Sequence, residues 1–177
     1  MTQVARILIV DDEASIRLTL GALLKRTGYE VTPAENGAEA VALLEQQLFD
    51  LMLVDLKMPG MDGMQVVSAA RKRQPDLAII VLTGHGSLDT AVEGLHQGVF
   101  DYLLKTTEPA QVIERVKAGL AARTQRMRER TLLDVVGAAV QELRGTVGAT
   151  PGESAGPNDR AITVGALHLD TWRQEAS

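Results

Sequence analysis

The chain of 177 residues contains no cysteine, which excludes a disulfide framework, a thiolate nucleophile and any metal site built on Cys. It also lacks an apolar run approaching the roughly 18 to 20 residues that a membrane-spanning helix needs. No signal-peptide-like apolar stretch precedes the first strand-like segment, since Met1-Thr2-Gln3-Val4-Ala5-Arg6 leads straight into it. The expected location is therefore cytoplasmic, with no membrane partner. A basic surplus is missing too. The formal net charge is −5, which argues against nucleic-acid binding over the whole surface and leaves only a local basic patch open. What remains is 45% apolar and 23% charged, the balance of a soluble globular protein with one ordinary domain and a smaller appendage.

Up to about residue 122, short apolar runs alternate with helical patterns. Arg6–Val10 reads as a buried strand, followed by a helix from about Glu13 to Thr27 and a stop at Gly28. A weaker strand at Glu30–Pro33 precedes a helix over Ala38–Gln47. Leu51–Val54 is the third strand, with a helix over Met64–Gln74 after a turn. Leu77–Leu82 is the fourth strand, leading to a helix over Leu88–Gln97, and Val99–Leu104 is the fifth. A last helix begins near Pro109, an acceptable first helical residue, and its pattern runs to about Arg144. Apolar strands alternating with helices predict an α/β fold: a parallel, doubly wound five-stranded sheet covered on both faces. The strand order 2-1-3-4-5 is the common solution and puts ligands at the carboxyl ends of the strands.

The chemistry-bearing residues gather at those ends. Asp11 and Asp12 follow the first strand, Asp55 the third, Thr83 the fourth and Lys105 the fifth. Converging carboxylates repel unless a cation or proton resolves them. Mg²⁺ is the expected cofactor, because it prefers oxygen ligands and accepts one or two carboxylates plus a phosphoryl oxygen. An Asp carboxylate is also a competent nucleophile for an aspartyl-phosphate. A hydroxyl and an ammonium beside it would stabilise charge on the transferring phosphoryl oxygens.

Each residue has a plainer reading when taken alone. Asp12 is a candidate N-cap of the first helix. Asp55 could cap the turn Asp55-Leu56-Lys57-Met58-Pro59-Gly60. Thr83 could be an ordinary strand-end hydroxyl, and Lys105 a solvated surface lysine. Their combination at successive strand ends favours the joint reading.

The stretches Ile9-Val10-Asp11-Asp12-Glu13, Leu53-Val54-Asp55-Leu56-Lys57-Met58-Pro59-Gly60-Met61-Asp62-Gly63, Val81-Leu82-Thr83-Gly84-His85-Gly86 and Phe100-Asp101-Tyr102-Leu103-Leu104-Lys105 together resemble the receiver domain of two-component response regulators. The resemblance covers residues 4 to 122. It implies a flavodoxin-like fold, a phosphohistidine on a sensor histidine kinase as donor, and Asp55 as phosphoacceptor. It makes Asp11, Asp12 and Asp55 the Mg²⁺ carboxylates, with the Lys57 backbone carbonyl as a further ligand. Lys105 and Thr83 would hold the phosphoryl group, and Gly84 would leave room for the donor. The implied switch moves Thr83 toward the phosphoryl oxygen while Tyr102 swings inward; on the residues alone Tyr102 is a half-buried strand aromatic. The resemblance also implies homodimers through the fourth helix, fifth strand and fifth helix. One departure is visible: the family usually carries proline after the lysine, and Thr106 stands there. The Lys105–Thr106 bond is expected to be trans, with the lysine still within reach.

Beyond the receiver region, residues 123–147 are expected as a helical extension and 148–160 as a flexible linker rich in Gly and Pro. Residues 161–177 resemble the truncated start of a winged-helix DNA-binding output domain. The sequence ends before a recognition helix, so on this reading the polypeptide does not dock one in a major groove, and DNA is a partner only of a complete output domain. Three alternatives stand beside a transcriptional output. The first is a stand-alone protein-contact or dimerisation module, using a helical arm with the imperfect apolar stripe Met127, Leu132, Val136, Val140, Leu143. The second is nucleic-acid binding through Arg123, Arg126, Arg128 and Arg130, although these spread over more than one helical face. The third is a metal-dependent phosphatase with external turnover, for which a separate acid/base and substrate pocket are missing. The aspartyl-phosphate chemistry is self-directed, so the chain is not expected to be an enzyme. His85 is a candidate for positioning hydrolytic water or, more simply, a surface histidine.

Overall fold

The computed structural model describes residues 4–84 and 98–147, with side chains described as far as residue 142. The predicted helix at residues 88–97, His85, the linker at 148–160 and the segment 161–177 lie outside the described residues.

Alternation of large, fully buried apolar side chains between the two faces explains the sheet. In β1 (Arg6–Val10) Leu8 and Val10 point to one face, and Ile7 and Ile9 to the other. β3 (Leu51–Val54) and β4 (Ala78–Thr83) repeat this division. One face takes Met52, Val54, Ile79 and Val81 against α2 (Gly37–Gln46) and α3 (Gly63–Arg73), through Ala40, Leu44, Val66, Val67 and Ala70. The other face packs Leu51, Leu53, Ile80 and Leu82 against Leu20 and Leu24 of α1 (Ala14–Arg26) and Val112 and Val116 of α4 (Pro109–Val147). Burying each such branched side chain contributes about 1.5–3 kcal/mol. Strands apolar on both faces are what a covered parallel sheet requires.

With β2 (Glu30–Ala34) and β5 (Asp101–Leu104), the sheet is parallel in the order β2-β1-β3-β4-β5. The flavodoxin-like α/β architecture expected from the sequence is therefore present. Element ends differ from expectation by one to three residues; β4 extends to Thr83, and α4 runs to Val147 rather than stopping near Arg144. Asp62 and Gln65 form a capping box that starts α3 right after the β3 loop. In that loop Gly60 has φ +82°, a left-handed conformation that favours glycine. One compact unit extends through Gly137, and helix α4 is unbroken from Pro109 to Val147.

Candidate phosphoacceptor site

The parallel order brings the carboxyl ends of β1, β3, β4 and β5 to one edge. Oxygens of Asp11, Asp12 and Asp55 lie within 4.8 Å of one another. Asp11 and Asp55 are buried, at 1% and 4% exposure, whereas Asp12 is exposed. Thr83, the last residue of β4, is fully buried, and its carbonyl accepts from Lys105 N–H at 2.9 Å. Asp55 Oδ1 accepts from Lys57 N–H at 3.3 Å, so the plainer turn-capping reading of Asp55 describes a contact that is present.

Two of the plainer readings are corrected. Asp12 does not cap α1: the N-cap position belongs to Glu13, which makes no side-chain capping bond, while Asp11 Oδ1 accepts from Glu13 N–H at 2.8 Å. Asp11 enters the loop from β1 at a point where its side chain turns inward and wins the local N–H. Lys105 is not a solvated surface lysine either. Its side chain is only 11% exposed, and Nζ lies 2.8 Å from Asp55 Oδ2, 2.9 Å from Asp11 Oδ2 and 2.6 Å from Glu13 Oε1. Thr106 does not prevent this reach, and no cis peptide bond occurs among the described residues.

The electrostatics follow from burial. Burial pushes the Asp11 carboxyl above its ordinary value, against the opposing Lys105 and Glu13 N–H bonds, and the neighbouring Asp55 adds to the rise. For Lys105, burial disfavours the ammonium, but the carboxylates of Asp55, Glu13 and Asp11 outweigh it, and the net shift is upward. One ammonium thus pairs with three carboxylates, those of Asp11, Asp55 and Glu13, while the Asp12 carboxylate adds a fourth negative charge beside Asp11 and Asp55. Asp11 Oδ2 is buried and makes no hydrogen bond, although it sits at ion-pair distance from Lys105. A buried, under-satisfied carboxylate oxygen inside an acidic cluster fits a hard divalent cation, so the residues present suit the expected Mg²⁺.

Three contributors were not assigned roles from the sequence. Glu13 supplies the third carboxylate on Lys105; its place beside the Asp pair was the available signal. Arg17 Nη1 donates to the carbonyls of Asp11 at 2.7 Å and Asp12 at 3.0 Å, fixing the acidic loop from one turn into α1. Gly63 permits close passage of α3 under the site. A Cβ there would collide with the Asp55 carbonyl oxygen and sit 2.7 Å from Leu56 Cα. A Cβ on Gly84, by contrast, would meet nothing nearer than Lys105 Cδ at 4.0 Å. Tyr102 is half-buried in β5 and packs on the α2–α3 side of the core, with its backbone in register with Val81. Two of the four candidate nucleic-acid arginines are engaged elsewhere: Arg123 pairs with Asp50 at 2.9 Å and Arg130 with Asp76 at 3.5 Å. No helix among the described residues is long and apolar enough to cross a membrane.

Known proteins resemble this chain in sequence and fold. The transcriptional regulatory protein ResD of Bacillus subtilis is 42% identical over 124 residues, which cover 70% of this chain and 51% of ResD. GlrR of Escherichia coli, also a transcriptional regulatory protein, is 39% identical over 116 residues, or 66% of this chain and 26% of GlrR. The chain therefore matches about half of one relative and about a quarter of the other. A CheY-like receiver domain protein from Methanospirillum hungatei superposes with a TM-score of 0.68 at 34% identity, covering 70% of this chain and 99% of that one. The family model described as the response regulator receiver domain matches residues 7–117, and on that match the chain belongs to the response regulator receiver family.

Proposed function

We propose that this receiver accepts a phosphoryl group on Asp55 from a phosphohistidine of a sensor histidine kinase and switches an output, transcription in a complete protein. The observation that carries the proposal is the contact of Lys105 Nζ with both Asp55 and Asp11 inside an acidic cluster. A carboxylate oxygen of Asp55 attacks phosphorus, the P–N bond breaks, and the imidazole leaves with its electron pair and takes up a proton. Lys105 would bond an equatorial phosphoryl oxygen, and the Thr83 hydroxyl another after the switch. Asp11, Asp12, Asp55 and the Lys57 carbonyl would hold Mg²⁺, which when bound supplies positive charge against the phosphoryl oxygens. An apolar groove of about 420 Å³ beside Lys105, lined by Ile16, Leu20, Leu82 and Val112, offers the donor protein a surface next to the nucleophile. The cycle acts on Asp55 alone, which is why it is not an enzyme activity toward outside substrates.

The switch would couple Thr83 to Tyr102, which is half-buried one strand away in β5. Homodimerisation through the fourth predicted helix, β5 and the helix from Pro109 belongs to the same proposal. Intact mass after incubation with acetyl phosphate, with and without Mg²⁺, tests it. One phosphoryl adduct is expected on the wild type with Mg²⁺, and none on Asp55→Asn.

A second reading, output through protein contact alone, is favoured by one observation: Leu132, Leu133, Val135 and Val136 of α4 are each more than half exposed. Light scattering on the full chain with and without beryllofluoride separates the two. Dimers that need beryllofluoride support the switched reading, and dimers indifferent to it support the contact module.

A further inference from the structure

We infer that Glu13 is a positioning residue that restrains Lys105: its carboxylate occupies one ammonium N–H at the mouth of the site, and an incoming phosphoryl group has to displace it. The inference rests on the phosphoacceptor reading of Asp55. An ammonium has three N–H donors and no acceptor. Asp55 Oδ2, Asp11 Oδ1 and Glu13 Oε1 stand 2.8, 3.1 and 2.6 Å from Nζ, so the three carboxylates match its donor capacity. A phosphoryl oxygen that takes one donor must evict one of them.

The three are not equally easy to evict. The side chains of Asp11 and Asp55 are 2% and 5% exposed, and releasing either strands a charge away from water. The Glu13 side chain is 55% exposed, so water replaces the lysine at little cost. Its chain position supports the same assignment. Glu13 holds the N-cap place of α1, where a side-chain acceptor ordinarily serves the helix, yet it makes no capping bond and reaches across to the end of β5. Its backbone N–H is meanwhile pinned to Asp11 Oδ1, so the reach starts from a fixed point. Glu13 also sets a negative charge beside the route by which an anionic donor arrives, so it slows phosphoryl capture both by holding Lys105 and by repulsion.

The test uses the full chain as wild type, Glu13→Gln and Glu13→Ala, with two independent readouts. The first needs no phosphodonor: the Lys105 side-chain nitrogen signal and the hydrogen-exchange rate of its ammonium are recorded by NMR. Both variants are expected to shift the signal and speed the exchange; an unchanged Lys105 overturns the restraint. The second is the rate of acetyl phosphate incorporation against donor concentration. Both variants are expected to react about two- to fivefold faster, the range spanned by an exposed ion pair, with the gain shrinking at high salt. A rate equal to or below wild type overturns the inference. If the wild type itself takes no phosphoryl group at Asp55, the phosphoacceptor reading fails, and the Lys105 signal alone then decides whether Glu13 restrains the lysine.

Discussion

The two ends of this parallel sheet are built on opposite principles. At the amino ends of the strands, the buried side chain of Gln74 has both of its polar atoms hydrogen-bonded. Gln74 Oε1 accepts from Phe49 N–H at 2.9 Å, while its Nε2 donates to the Leu44 and Gln47 carbonyls at 2.9 and 2.8 Å. Asp50 accepts from Arg6 N–H at 2.7 Å and pairs with Arg123 at 2.9 Å, tying β1, the start of β3 and α4 together. At the carboxyl ends the charges do not balance: three carboxylates share one ammonium, the Asp12 carboxylate lies beside two of them, and a buried oxygen of Asp11 has no hydrogen bond. Among the described residues, four polar side chains are buried; Gln74 is at the first end, and Asp11, Asp55 and Thr83 are at the second. Polar burial with complete partners stabilises, and polar burial with a charge surplus invites a ligand.

Substitutions sharpen this contrast, and the largest effect is expected where α3 packs against the backbone of the nucleophile. Gly63→Ala forces a Cβ into the Asp55 carbonyl and Leu56 Cα. It should cost more than about 3 kcal/mol in urea unfolding and also abolish phosphoryl uptake, because the nucleophile's own backbone must move. Gln74→Leu removes the partner of two buried backbone groups, Phe49 N–H and the Leu44 carbonyl, and of the partly buried Gln47 carbonyl. It should cost about 3 kcal/mol with an unchanged urea slope, while folded protein keeps its phosphoryl uptake. A lost uptake in folded Gln74→Leu would break the separation of the two ends.

At the site end the effects are smaller and depend on pH. Lys105 is raised above its ordinary value of 10.5 by its carboxylates, which outweigh burial. Such a group stabilises fully below its unfolded value and loses that contribution as pH rises through its folded value. Lys105→Met should therefore be about 1–2 kcal/mol less stable at pH 7, with the gap narrowing as pH climbs past 10.5. Asp11 is raised from 3.8 chiefly by burial, so its charged form costs stability above the folded value and that cost vanishes as pH falls toward 3.8. In magnesium-free buffer Asp11→Asn should gain about 1 kcal/mol at pH 7, a gain that closes on acidification. Added Mg²⁺ should raise the melting temperature of the wild type and leave this variant nearly unmoved.

Much of this was legible in the sequence because parallel topology converts order into place. Short, continuously apolar runs at Ile7–Val10, Leu51–Val54 and Ala78–Leu82, buried on both faces, mark strands of a parallel sheet, and residues that follow such strands share an edge. That is enough to bring Asp11, Asp12, Asp55, Thr83 and Lys105 together. What was not legible depends on side-chain direction within a loop. Whether Asp12 or Glu13 takes the α1 cap, and whether the Lys105 ammonium turns into the site or out to solvent, is decided by competition between nearby acceptors. Gln74 escaped notice for the same reason: a glutamine near a helix end carries no periodic signal, and its three bonds join segments 25 to 30 residues away.

The most direct test of the account is to locate the phosphoryl group chemically. The full chain is treated with acetyl phosphate and Mg²⁺, the acyl phosphate is reduced with borohydride, and the digest is sequenced by mass spectrometry. The account predicts homoserine at position 55 and at no other aspartate, and none when Mg²⁺ is chelated. Reduction at another carboxylate, or an adduct at position 55 that forms equally well without Mg²⁺, would contradict it.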